Sequence, residues 1–330
     1  MTETLDAVLR YAVRLEGLSA RTVRLIAADI DAALADVDAE IEKRLGQNTA
    51  TASRLRTLRV ELQRVRAALR ASITGDLAEA LAAVEDTTAT LAADLSDDLH
   101  RVAGVAVATR SVEVPLSIVR AAAGEFDGRS WTAWGEALAD DTIDRIEAEL
   151  RRAIAKGETL PAIRDRLSRV TGLARTGAER LARTSISATA NAGRRAAVES
   201  LAGDLPFRWK YVATLDSRTS IICASLDGRE WASDDPDIPR PPRHPSCRST
   251  LVPVIGEFTG ERAAEGGPVA ASENFETWLR RQPDAFQDEV LGPTKADAWR
   301  AGVPLSDMAT ASRELTVAEL RRLYPDKVPA

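Results

Sequence analysis

The sequence predicts an α+β protein: a long, mostly helical N-terminal region, a small mixed α/β module, and a helical C-terminal tail. Three observations carry this. No proline occurs before Pro115. Apolar residues there recur at steps of three and four, the stripe of an amphipathic helix. After Gly203 the pattern changes, and Phe207, Trp209 and Tyr211 alternate with Arg208, Lys210 and Val212, the period of a strand. The domain boundaries that follow are 1–114 (long amphipathic helices), 115–203 (helices leading into the module), 204–256 (a compact Cys/His module) and 257–330 (a linker and helical tail).

Composition narrows the class. The chain has 330 residues, 45% hydrophobic and 28% charged, the balance of a folded globular protein. The first residues, Met1 to Asp6, carry neither a basic stretch nor an apolar core, so no secretion signal is expected. No apolar run reaches the length of a membrane span. Two cysteines in the whole chain argue against a disulfide scaffold and suit a reducing cytosol. The net charge of −6 argues against a general nucleic-acid binder while leaving room for a local basic patch.

The first helix is marked by Ile26, Ile30, Leu34, Val37, Ile41 and Leu45. The second is marked by Leu55, Leu58, Leu62, Val65 and Leu69, and the third by Leu77, Leu81, Val84, Leu91, Leu95 and Leu99. Gly46 and Gly75 interrupt them, and the second and third can be one continuous helix. From Ser53 to Arg70 there are six arginines and one acid; from Asp76 to Asp98 there are seven acids and no basic residue. Two readings fit: Arg54, Arg59, Arg66 and Arg70 face DNA phosphates, or the basic and acidic stretches pair with each other or with a neighbouring subunit. Around Pro115 a connection is expected. Phe126, Trp131 and Trp134, set among Gly124, Gly128 and Gly135, read as a loop-rich packing corner. Ile143, Ile146, Leu150 and Ile154 resume a helix to about Gly157. Thr159 and Pro161 open another, which Thr171-Gly172 should end, with a further helix from about 176 to 201.

In the module, Asp227-Gly228 is a turn signal, 234–245 is a loop with five prolines, and 249–254 is a short strand. The stretch 257–272 reads as a linker. Phe275, Trp278, Leu279 and Phe286 mark one helix of the tail. Leu315 to Leu323 marks another, with Thr316 and Glu319 as a capping box.

Both cysteines and one of the two histidines fall within 25 residues: Cys223, His244 and Cys247. His244-x-x-Cys247 is a fair zinc half-site, Cys223 supplies a third ligand and Asp216 a fourth. Buried thiols with a hydrogen-bonded histidine, or a Cys223–Cys247 disulfide formed outside the cell, fit the same residues. A catalytic Cys–His pair and a zinc-dependent nuclease are the enzymatic readings. A metal-dependent nuclease, or another enzyme acting on DNA, is thus the runner-up function.

The order of these residues resembles the Mu F-like phage head-morphogenesis family. That pattern has an aromatic strand (Trp209), Asp-x-Arg-Thr (Asp216, Arg218, Thr219), a cysteine (Cys223) and a glycine turn (Gly228). A proline-rich loop follows, then His-Pro-x-Cys-Arg (His244, Pro245, Cys247, Arg248) leading into a strand. Upstream, Ala182-Arg183-Thr184 and Asn191 are similar to its Ala-Arg-Thr helix. Where relatives often carry Glu after that triplet this chain has Ser185, and where some carry further cysteines it has Ser220 and Ser249. Residues 275–294 and 315–320 resemble a tail seen in many such head proteins. The resemblance implies a non-enzymatic minor capsid protein made in the host cytoplasm. It would be built into the virion near the portal, beside portal and major capsid or scaffolding protein, with a role in procapsid assembly and in DNA packaging or ejection. Zinc is the one cofactor in view, and no membrane partner is expected.

Overall fold

A computed structural model describes residues 2–45, 52–103, 125–126, 128–156, 158–202, 207–254 and 260–328. Four long helices dominate it: α1 (Thr2–Leu45), α2 (Ala52–Ala103), α3 (Trp131–Ala155) and α4 (Leu160–Ala202). Before α3, β1 (Glu125–Phe126) and β2 (Arg129–Ser130) form a two-residue hairpin. The fold is α+β, as the sequence predicts.

α2 runs through Gly75 without a break, the continuous form of the second and third helices that the sequence allows. One boundary differs from the expectation. α4 runs through Thr171-Gly172, where Thr171 Oγ1 hydrogen-bonds the Leu167 carbonyl one turn back (3.1 Å). A glycine inside a helix costs only about 1 kcal/mol against alanine, and the apolar stripe on either side outweighs it. The aromatic corner is also helical from Trp131 onward. Phe126 stacks on Trp131 at 6.2 Å and meets Trp134 edge-on at 5.8 Å. The expected connection around Pro115 lies outside the described residues.

The chain divides into two compact units. One comprises 13–86 and 120–189 and packs all four long helices around a single core. Ile26, Ile30, Val37 and Ile41 come from α1, and Leu58, Leu62, Leu69, Ile73 and Leu77 from α2. Ile143, Ile146 and Leu150 of α3, and Ile163, Leu167, Val170 and Leu181 of α4, complete it. Each such side chain contributes about 1.5–3 kcal/mol on burial. The arginines of α2 meet the acids of α3 in this unit. Arg59 lies 3.1 Å from Glu147, Arg66 pairs with Asp144, and Arg70 Nε donates to Asp140 at 2.6 Å. The acidic stretch lies on the same helix as the basic one, so the two cannot pair with each other. The side chain of Arg54 lies outside the described residues.

The other unit comprises 1–12, 87–119 and 190–330. In it Tyr11 is buried and bonds Thr88 Oγ1 (2.8 Å) and the Ala190 carbonyl (3.3 Å), with the Arg194 guanidinium over its ring. An antiparallel sheet of order β4-β3-β5 follows, from β3 (Arg208–Val212), β4 (Glu230–Ala232) and β5 (Thr250–Val254). Central β3 places Trp209 opposite Trp231 and Pro253, and Trp209 and Tyr211 are fully buried. The single-turn helix α5 (Ile221–Ala224) lies between β3 and β4.

The expected linker is folded where it is described. β6 (Glu261–Arg262) and β7 (Val269–Ala270) form a hairpin. After it come α6 (Phe275–Arg280), α7 (Asp284–Leu291), α8 (Pro293–Arg300) and α9 (Val317–Leu323). The Thr316–Glu319 capping box opens α9. Phe275, Trp278, Leu279, Trp299, Val303 and Leu320 share one core with Leu215, Ile221 and Ala224, so the tail and the Cys/His module are packed as one body. No described helix is long and apolar enough to cross a membrane.

Candidate metal centre

β3 ends at Val212, and the chain turns through Asp216 to Thr219 before α5. Ser220 caps α5, its side chain accepting from the Cys223 amide, and the Cys223 thiol meets the Tyr211 hydroxyl of β3. On the far side, the proline-rich loop delivers His244 to Cys247. The Cys247 amide closes a turn on the His244 carbonyl (3.2 Å), with Pro245 second and Ser246 third at φ 60°. Proline second and a left-handed residue third is the pattern of a type II turn. It brings the imidazole and the second thiol to one side.

Cys223 Sγ lies 3.2 Å from His244 Nε2 and 3.6 Å from Cys247 Sγ, and Tyr211 OH lies 3.3 Å from Cys223 Sγ. Both thiols are free and buried. Ser220 Oγ is 2.8 Å from Nε2, and Nδ1 is 2.9 Å from the Pro245 carbonyl. The Cys247 thiol is the largest influence drawing Cys223 down, to about 3, against burial and with help from His244, Ser249 and Tyr211. The same contact and burial push Cys247 well up. Burial pulls His244 down, but Cys223 and the Pro245 carbonyl raise it on balance.

Asp216, the fourth ligand suggested by the sequence, does not join these three. Arg248 grips both its oxygens, one at 2.7 Å. The Arg218 amide (3.1 Å) and Thr219 Oγ1 (3.2 Å) donate to it as well. Burial works against its ionisation, yet the hydrogen bonds and charge of Arg248 hold its carboxyl below the usual range. Asp216 therefore ties the turn before α5 to the segment before β5. The Arg218 side chain is mostly exposed, 3.9 Å from Asp216.

The remaining motif residues build the frame. Gly228, at φ 81°, closes the turn into β4, where a Cβ would meet Asn274 Cβ at 3.0 Å. Asn191 of α4 accepts from Thr250 Oγ1 (2.9 Å) and donates to the Ser249 carbonyl (3.3 Å), joining α4 to β5. In the other unit, Arg183 pairs with Glu179 and Glu16, and Thr184 is buried against the Arg180 carbonyl.

Three residues take roles that the sequence reading missed. Asp227, read as half of a turn or as an acid that could orient a Cys–His pair, is fully buried; it accepts from the amides of Ala213 and Phe275 (both 2.7 Å) and from Arg262. Burial pushes its carboxyl up against the pull of Arg262 and those amides. Arg262 sits in the stretch read as linker. Glu314 reaches back from the tail to the Ile221 amide (3.1 Å). A buried acid and a distant arginine leave no periodic trace in sequence, so only the fold pairs them.

Two soft sulfurs and an imidazole nitrogen, all within 4.8 Å of one another, form a donor set that fits a zinc ion. The cavity beside them, lined by Arg218, Thr219, Ser220, Ser246, Arg248 and Ser249 among others, measures about 10 Å³. That is room for about one water. No curated protein and no solved structure matches the chain. A family model described as Phage Mu protein F like protein matches residues 144–252, about a third of the chain. The matched stretch runs from within α3 to within β5 and contains the whole Cys/His cluster, so residues 144–252 of this chain are similar to the Phage Mu F-like family.

Proposed function

We propose that the protein is a phage head-morphogenesis protein: a minor component of the virion, built into the procapsid near the portal, acting structurally in assembly and in DNA packaging or ejection. The observation that carries this reading is the family match across the segment where Asp216, Cys223, His244, Cys247 and Arg248 converge. The chemistry of the segment agrees with a structural role. Asp216 and Arg248 are engaged with each other, and the cavity beside the trio has room for about one water. Arg59, Arg66 and Arg70 are likewise taken up by α3. Contact with packaged DNA therefore rests on other surfaces or on the assembled head. The partners are the portal protein and the major capsid or scaffolding protein.

Co-expression tests the portal assignment. The chain is expressed with the portal and major capsid proteins of its phage, and then with the capsid protein alone. It should sediment with portal-containing procapsids and stay in the supernatant when portal is omitted. Equal incorporation into shells without portal would contradict the assignment.

A further inference from the structure

We infer that Cys223, His244 and Cys247 hold one zinc ion, and that its role is structural: it clamps α5 to the loop that enters β5. The inference stands on side-chain geometry and does not depend on the head-assembly role.

The triangle of donors has nearly the size that zinc requires. With Zn–S of about 2.3 Å and Zn–N of about 2.0 Å, tetrahedral angles place two sulfurs about 3.8 Å apart and sulfur and nitrogen about 3.5 Å apart. The two sides that meet at Cys223 Sγ are 3.6 and 3.2 Å, a few tenths of an ångström short of those values, and the third, from Cys247 Sγ to His244, lies within 4.8 Å. The imidazole is already oriented for it. Nδ1 lies 2.9 Å from the Pro245 carbonyl, which can only accept. Nδ1 therefore carries a hydrogen, and Nε2 is the ring nitrogen that faces the cluster, 2.8 Å from Ser220 Oγ and 3.2 Å from Cys223 Sγ. A ligating histidine is held in this way, its other ring nitrogen donating to a backbone carbonyl.

The donor set selects the metal. Two thiolates and an imidazole favour zinc over magnesium or calcium, which prefer oxygen. Asp216 is spoken for by Arg248, so the protein supplies three ligands. A water in the small cavity at Ser220 completes the set. Three protein ligands and a water is also the pattern of catalytic zinc, but here the cavity has no space for a substrate. Binding releases two protons, one from the Cys247 thiol and one shared between Cys223 and His244, as the hydrated zinc ion takes both sulfurs and the imidazole nitrogen.

The full-length chain, purified under reducing conditions and incubated with zinc then dialysed, should carry one zinc per chain by elemental analysis. Cys223→Ser and Cys247→Ser should each lose most of it. A chelator should lower the melting temperature of the wild type and leave that of Cys247→Ser unmoved. Because either variant can misfold, cobalt(II) is added to the metal-free wild type; thiolate-to-cobalt charge-transfer absorption should appear and vanish when zinc is added. A folded wild type with two titratable thiols, no retained zinc and no cobalt band would overturn the inference. So would an intact mass two hydrogens lighter after reducing purification, the mark of a disulfide.

Discussion

At the scale of single residues, two aspartates eleven positions apart hold the module in different ways. Asp216 is about one-sixth exposed and bridges to Arg248. Its carboxyl is held below the unfolded value of about 3.9. Its stabilisation is therefore present above about pH 4 and is lost as pH falls through the folded value. Arg248→Gln should cost about 2 kcal/mol near neutrality. It should also flatten the fall in melting temperature below about pH 4, measured by thermal unfolding across pH. Asp227 is fully buried beside Arg262. Arg262→Ala strands that charge and should cost about 3–5 kcal/mol by denaturant titration. Asp216 and Arg248 were legible through the family pattern, and Arg248 as a residue that holds loops together through a carboxylate or the backbone; that the carboxylate is that of Asp216, in place of metal ligation, was not. The trio was legible because cysteine and histidine are so scarce in this chain that proximity in sequence already carried information.

At the scale of elements, the helices followed from periodicity while their ends did not. Thr171-Gly172 looked like a break and Gly75 left a break or a continuous helix open, yet α2 and α4 pass through them because continuous apolar faces on both sides bury against neighbours. Charge runs identified the basic face of α2 but not its partner α3, since pairing depends on which helices meet. Close approach of a side chain to a helix backbone was equally hidden. A Cβ at Gly193 would lie 2.8 Å from both Cγ2 and Oγ1 of Thr88, which is buried and bonded to Tyr11. Gly193→Ala should destabilise by about 1–3 kcal/mol despite its better helix propensity, as read from the midpoint of urea unfolding. The turn at Ser246 predicts the opposite sign. With φ at 60°, Ser246→Gly relieves a left-handed conformation and should raise the melting temperature slightly.

At the scale of the whole molecule, the C-terminal residues matter most for how the module is understood. Sequence separated them as linker and tail, because Gly, Ala and Glu around 257–272 resemble flexible chain. The described part instead supplies Arg262 to Asp227, Glu314 to the Ile221 amide, and a core of aromatics that covers Leu215 and Ile221. Truncation before residue 260 should yield insoluble protein or one that unfolds without cooperativity, seen by solubility and circular dichroism. The Cys/His cluster, the sheet and the tail thus form one folding unit.

Placement in the phage head is the claim on which the functional account turns. Quantitative mass spectrometry of gradient-purified virions and empty procapsids tests it most directly. The account predicts this chain in both particles at a small, fixed ratio to the major capsid protein. Its absence from both, with abundant free protein in the lysate, would contradict it.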